Sequence, residues 1–552
     1  MKKIINLLHL SLLCSLTSCG QQASNKMPDI TLSDGITSPL HKVNIGNIVF
    51  VPKLDYQESD FLTSFELSKS NDLNMSAFFD NSLTNYLHQL APTLSIKELY
   101  EKGNYQFSFL IDDELFYKEN LHFGAGLPDQ KNKQTILTIP LQNEHLGYRL
   151  WSSYMWDRFY DRKGGEKALK TGAHILKIEL RAYVDNDSIV VGNVIAEGEL
   201  NLSIKPPEKA TKQQMAVQPI QPNSGWELSK ESYDTKKIRE LNRDIAEFKF
   251  KKISSIVVIK NGKLLIEEYF NGADRNTLHD TRSVGKSFAA TMTGIAIEDG
   301  HIKNEHQYLS DFYDLTEYAN YTPKKDKVTL KSLLTMSSGF DANDFDSNSL
   351  GNEELMYPTA DWVKFALDLP MDSKKEISNT WNYFTAGIVV LGDIIHKSVP
   401  EGLVKYADKK LFKPLGITNY QWQYTPQNVG NTAGGLQLRT LDYAKFGQLY
   451  KNKGVWNGTQ VLSPNWVTKS MTNYFEGTTN QSYGFLFWNQ KFVANDTTYE
   501  AFLSSGNGGN KIIMFTDEPL VIIITATAYG RAYAHPQAEQ IIQEYLLPAI
   551  LK

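Results

Sequence analysis

Three features of the sequence predict an α+β architecture in two parts. Strand patterns dominate from about Pro39 to Pro206, and a break rich in Pro, Gln and Lys follows. The rest of the chain opens with a hairpin, closes with two strands and is helical between them. Both ends therefore contribute to one antiparallel sheet flanked by helices, with a helical subdomain. At 552 residues the chain is too long for one hydrophobic core, so more than one domain is expected. The formal net charge of −5 is spread without long acidic or basic runs, which gives no reason to expect a nucleic-acid partner.

The first residues read as a signal. Lys2 and Lys3 precede the apolar run Ile4 to Leu16, which is too short to span a bilayer comfortably. Leu16-Thr17-Ser18-Cys19-Gly20 follows, and it resembles the lipobox of bacterial lipoproteins. That resemblance implies a signal peptide over 1–18 and lipidation of Cys19. It also implies a protein held at a bacterial membrane in the cell envelope, periplasmic or surface-facing. An uncleaved anchor and an ordinary cleaved signal are the alternatives. The only two cysteines, Cys14 and Cys19, lie here, so the mature chain would hold no disulfide and must rely on its core. Residues 19–38 read as a polar tether.

Residues 39–205 read as a β-rich, sandwich-like accessory domain. "YQFSFLI" (105–111) puts aromatics at every second position. "ILKIELRAYV" (175–184), Asp185-Asn186-Asp187 and "SIVVGNVIAEGELNLSI" (188–204) read as a hairpin of two long strands. The aromatics of "WSSYMWDRFYDR" (151–162) fit core packing, with a carbohydrate-stacking surface as the alternative. Residues 206–226 have the composition of an extended linker.

The second domain spans 227–552. "YDTKKIRELNRDIAEFKF" (233–250) is a helix candidate. "ISSIVVIK" (253–260), Asn261-Gly262 and "KLLIEEYF" (263–270) form the strongest hairpin signal in the chain. "KIIMF" (511–515) and "LVIIITATA" (520–528) read as strands, and a terminal helix starts at about Pro536.

After the hairpin comes "TRSVGKSFAATMTGIAIEDG" (281–300). Phe288, Ala289, Met292, Ile295 and Ala296 have the period of a core helix, Asp280 or Thr281 could cap it, and Asp299-Gly300 stops it. Ser283 and Lys286 lie three residues apart at its start, on one face. A serine is a weak nucleophile until a base takes its proton, and a lysine serves as that base only where its ammonium is disfavoured. Burial and the positive end of the helix dipole both act that way. Backbone N–H groups at the helix start, that of Ser283 among them, could form part of an oxyanion hole. The bland alternative is a capping serine beside a solvated lysine. The histidines show no metal-ligand spacing, and no metal or other cofactor is implied.

From about residue 233 the chain resembles the serine β-lactamase-like hydrolases. The branch is that of class C β-lactamases, D-amino-acid peptidases, esterases and nylon-oligomer hydrolases. The likeness rests on "RSVGKSFAATMTGIAIEDGHI" (282–302), "VTLKSLLTMSSGF" (328–340), "WNYFTAGIVVLGDII" (381–395), "AGGLQLRTLDYAKFGQLYKNKGVWNGTQVLSPNWV" (433–467), "YGFLFW" (483–488) and "SSGNGGNKIIMF" (504–515), in the family's order. It implies a β-lactamase/transpeptidase-like fold, Ser283 as nucleophile, Lys286 as base, and Tyr383 as the tyrosine that relays a proton to the leaving group. Thr385 stands where the family has Asn. Ser504-Ser505-Gly506 stands where it has Lys-Thr-Gly, and Asn507 would give the second oxyanion N–H. Thr385, Ser504, Ser505 and Gly506 would then line the substrate site. A neutral Ser504 cannot make the charge-assisted contact that holds a substrate carboxylate. The resemblance thus implies a small-molecule or peptide substrate with an ester or amide bond, more than a β-lactam. A peptidoglycan peptidase, a β-lactamase, and a tethered binding protein on a silent hydrolase scaffold are the alternatives. The Gly-rich 433–440 stretch is expected to be a structural loop near the cleft.

Overall fold

The computed structural model describes residues 27–551 except 69–70, 124, 143–150, 207, 347 and 477–480. The signal segment, with Cys14 and Cys19, lies outside the described residues.

The N-terminal part is β-rich, as expected, and is built from two sheets. Leu73–Phe78 pairs antiparallel with Ile48–Val51 on one side and Ile136–Gln142 on the other. The second sheet has five strands in the order Ser64–Glu66, Ser188–Ile204, Gly172–Asn186, Gly103–Ile111 and Glu114–Asn120. Its long hairpin turns at Asp187, whose φ is +62°. Phe107 and Phe109 share one core with Met75 and Ile139 of the first sheet. Trp156 and Phe159 belong to that core, and Phe159 stacks on Phe109 at 4.6 Å between ring centroids. For these two rings core packing is the observed state, not a carbohydrate surface.

Two stretches read as tether and linker are docked. Asn85 Oδ1 accepts from the N–H groups of Ile30 and Thr31, each at 3.0 Å, so the chain is pinned from about residue 29. In the second stretch Gln218 imitates a neighbouring strand. Its N–H donates to Glu268 Oε1 (2.9 Å), and its side-chain amide pairs with the N–H and C=O of Tyr269. The reason is local: Lys263–Tyr269 is the edge of its sheet, and an edge leaves backbone groups to be paired.

The second part carries one eight-stranded antiparallel sheet. Its order is Lys263–Tyr269, Ile253–Lys260, Leu520–Ala526, Asn510–Phe515, Thr497–Gly506, Trp488–Ala494, Gln481–Tyr483 and Phe475–Glu476. The N-terminal hairpin thus pairs directly with the last strand, as the sequence predicts. One face is covered by the helices Thr235–Ala246 and Ala534–Ile541, the second running on through a π-turn to Ile550. The other face meets the helix Gly285–Glu298, which is buried on nearly every side between the sheet and a helical layer that includes Thr385–Ser398. A helix apolar all round requires such a central place. It holds whatever its first turn carries at a fixed point beside the end of Thr497–Gly506.

Candidate active site

Ser283 lies in a 3₁₀ turn, Arg282–Val284, that runs straight into the buried helix. Asp280 Oδ1 caps the turn by accepting from Arg282 N (2.8 Å), whereas Thr281 makes no side-chain cap bond. Arg282 has φ +46°, a left-handed conformation costly for a non-glycine residue, and its guanidinium lies 4.3 Å over the Tyr529 ring. Lys286 Nζ donates to Ser283 Oγ at 2.8 Å and to the Ala433 carbonyl at 2.9 Å. The lysine is only 2 % exposed and makes no ion pair among the described residues. An amine dry, held by neutral acceptors and touching a serine hydroxyl is a built arrangement, unlike a solvated lysine beside a cap.

Nothing in the sequence marks the Ala433 carbonyl, since 433–440 reads only as a loop near the cleft. Its closeness depends on glycine: a Cβ on Gly434 would sit 2.9 Å from the Arg282 carbonyl carbon.

Tyr383 lies under the same amine, with Lys286 Nζ 5.1 Å from its ring centroid. Trp488 stacks on it at 6.1 Å, and Phe345, 68 % exposed, stacks at 5.3 Å. This aromatic wall gives the cleft an apolar side. Thr385 opens the helix that follows, and its N–H donates to Asp344 Oδ2 at 2.7 Å. Thr385 Oγ1 approaches that carboxylate without hydrogen-bond geometry. Asp344 also accepts from Glu353 N at 2.8 Å. Burial pushes its carboxyl up to about 7, the Glu353 charge adds to the effect, and Thr385 and Lys286 oppose it. Asp344 escaped the sequence reading because nothing in "DANDFD" (341–346) separates it from its neighbours.

Across the site, the strand Thr497–Gly506 ends against the Ser283 turn. A Cβ on Gly506 would lie 2.5 Å from Thr281 O and 3.1 Å from Val284 N, so only glycine permits the approach. Asn507 follows, and neither its N–H nor that of Ser283 has an acceptor among the described residues. Ser504 is 1 % exposed and its Oγ has no partner among them. Such a hydroxyl costs about 1–3 kcal/mol unless water or a ligand meets it. Ser505 is not grouped with these residues. Strand alternation turns it to the face of the C-terminal helix, where Lys511 Nζ donates to its Oγ at 3.3 Å and His535 Nδ1 lies at 3.5 Å.

This antiparallel sheet, with a Ser-x-x-Lys helix buried against one face, is the β-lactamase/transpeptidase-like fold. The Beta-lactamase family model matches residues 250–546, and the chain belongs to that family. A Bacillus subtilis (strain 168) protein named as a penicillin-binding protein, PbpX, is 22% identical over 183 residues, covering 33% of this chain and 44% of its own length. The chain thus spans less than half the length of that relative. Among solved structures, the octameric penicillin-binding protein homologue from Pyrococcus abyssi is 19% identical with a TM-score of 0.43, covering 56% of this chain and 76% of its own. The D-stereospecific amidohydrolase from a Streptomyces species is 16% identical with a TM-score of 0.41, covering 52% and 93%.

Proposed function

We propose that the protein is a serine hydrolase that cleaves an ester or amide through an acyl-enzyme on Ser283. The observation that carries this reading is the 2.8 Å contact between the buried Lys286 amine and the Ser283 hydroxyl. Lys286 Nζ takes the serine proton as Oγ bonds the carbonyl carbon, and the C=O electron pair moves onto oxygen. The N–H groups of Ser283 and Asn507 receive that oxyanion. The pair then returns, the bond to the leaving oxygen or nitrogen breaks, and that atom takes a proton by way of Tyr383. Water repeats the sequence on the acyl-enzyme and frees Ser283.

A substrate without a carboxylate beside the scissile bond is supported by Ser504, a neutral hydroxyl where a cation would be needed. The aromatic wall of Phe345, Tyr383 and Trp488 favours an apolar acyl group. A cation near this strand end, Lys511, does not change that reading, because it lies with Ser505 on the face of the C-terminal helix, 3.6 Å from Glu539. Attachment to a membrane through lipidated Cys19 completes the proposal and rests on the sequence of residues 1–20.

The test is hydrolysis of a short-chain nitrophenyl ester beside a chromogenic cephalosporin. Ester turnover lost by a thousandfold or more in both Ser283→Ala and Lys286→Met is expected. Unchanged turnover in either variant contradicts the mechanism, and faster cephalosporin turnover contradicts the substrate class.

A further inference from the structure

Among the described residues, a short segment of the N-terminal β-rich part contacts the hydrolase part close to the candidate site. The helix Trp151–Asp157 passes into a π-turn, Arg158–Arg162, with Trp156 and Phe159 locked in the accessory core. The polar residues between these anchors face the hydrolase part. Asp157 Oδ1 lies 3.1 Å from Arg531 Nη1, with both side chains buried. The Arg531 guanidinium also sits 5.7 Å from the Tyr160 ring, and Arg162 Nη2 donates to Gly530 O at 3.5 Å. Gly530 N in turn donates to Asn507 Oδ1 at 2.6 Å. A short path of direct contacts thus joins the accessory domain to Asn507, the residue whose N–H is proposed above to receive the oxyanion.

The same segment reaches the opposite rim. Arg158, paired to Glu119 within its own domain, lies 3.9 Å from Glu354. Glu354 follows Glu353, whose N–H is held by Asp344, the carboxylate that also fixes Thr385. Two successive side chains, Asp157 and Arg158, therefore grip the two sides of one cleft.

We propose that the accessory domain is a clamp on the active site and that Asp157 is a positioning residue, acting through Arg531 and the 528–531 loop to fix Asn507. The inference rests on the acyl-transfer reading above. Burial makes the contact specific: a charge left without its partner there is strongly disfavoured, so the loop is held in one place. An oxyanion donor acts on the transition state and much less on bound substrate. Loosening its support therefore lowers kcat and leaves KM nearly untouched.

The experiment uses the full chain with Asp157→Asn, Asp157→Glu and the charge-swapped double variant Asp157→Arg/Arg531→Asp. Rates on the nitrophenyl ester are divided by the concentration of active sites titrated with a fluorophosphonate, so loss of folded protein does not register. The expected result is a fall in kcat of about tenfold or more for Asp157→Asn, with KM within about twofold. A boronic acid, which forms a tetrahedral adduct on serine, should lose affinity by a similar factor. Asp157→Glu or the swapped pair should recover most of the loss. A kcat per active site within twofold of wild type, or a change confined to KM, overturns the clamp. Failure of Ser283→Ala to abolish turnover overturns the acyl-transfer reading instead, so the two failures are distinct.

Discussion

At the scale of single residues, the proposed chemistry depends on the dryness of Lys286 and on the charge set beside it. Asp344 is the group that can change that charge near neutrality, because burial raises its carboxyl to about 7. Below that pH it is neutral. Above it, its negative charge beside the site opposes the negative charge that builds on the carbonyl oxygen in the transition state. Asp344→Asn should remove an inflection near pH 7 from the kcat/KM profile and raise activity relative to wild type on the alkaline side. Superimposable profiles would remove Asp344 from the account. Phe345 makes a second residue-level case, since it covers one face of Tyr383 while remaining largely exposed. Phe345→Ala should raise KM for aromatic or long acyl esters several-fold with less effect on acetates. Equal effects across an acyl series would contradict a binding role.

At the scale of elements, the site is an assembly of three backbones in close approach: the Ser283 turn, the end of the strand Thr497–Gly506, and the loop at Gly434. Gly506→Ala would drive a methyl to 2.5 Å from Thr281 O, a backbone atom that cannot swing aside. Overpacking of this kind typically costs about 1–3 kcal/mol. The variant should therefore lose both melting temperature and at least tenfold in kcat, and full activity would show that the approach is not needed. These elements differ in how far they can be read from sequence. Strand and helix periods mark the hairpin at 253–270, the helix after Ser283 and the terminal strands, because each buries a regular apolar face. Ser283 and Lys286 are legible for another reason: their spacing carries chemistry, whereas Tyr383 is legible only through the resemblance to the family. Asp344 and the Ala433 carbonyl are not legible, since both reach the site from loops whose path is set by packing. The docking of the 206–226 stretch is hidden for the same reason, whereas the face taken by Ser505 follows from strand alternation beside Ser504.

At the scale of the molecule, the accessory core and the hydrolase core meet at buried and half-buried charges, among them Asp157 with Arg531 and Glu166 with Lys251. Global stability also has a defined response to acid. Burial lowers His279 from 6.5 to about 4 and His535 from 6.5 to about 3, with Lys511 adding to the latter. Both are depressed in the folded state. Their contribution is present above pH 6.5 and is lost as pH falls through those lower values, because the unfolded chain takes up protons first. Burial of Glu268, raised from 4.5 to about 7, acts with the opposite sign between those values, so the whole-protein curve mixes the two. A variant separates them. The difference in melting temperature between wild type and His535→Gln should narrow as pH is lowered from 7 to 4.5, and a constant difference would contradict a buried neutral histidine.

The central claim, that a desolvated amine activates Ser283, is tested most directly by fluorophosphonate labelling of the folded protein with peptide mapping. The account predicts a single modified peptide carrying Ser283, with labelling lost in Lys286→Met and in heat-unfolded wild type. Labelling at another serine, or undiminished labelling of Ser283 without Lys286, would contradict it.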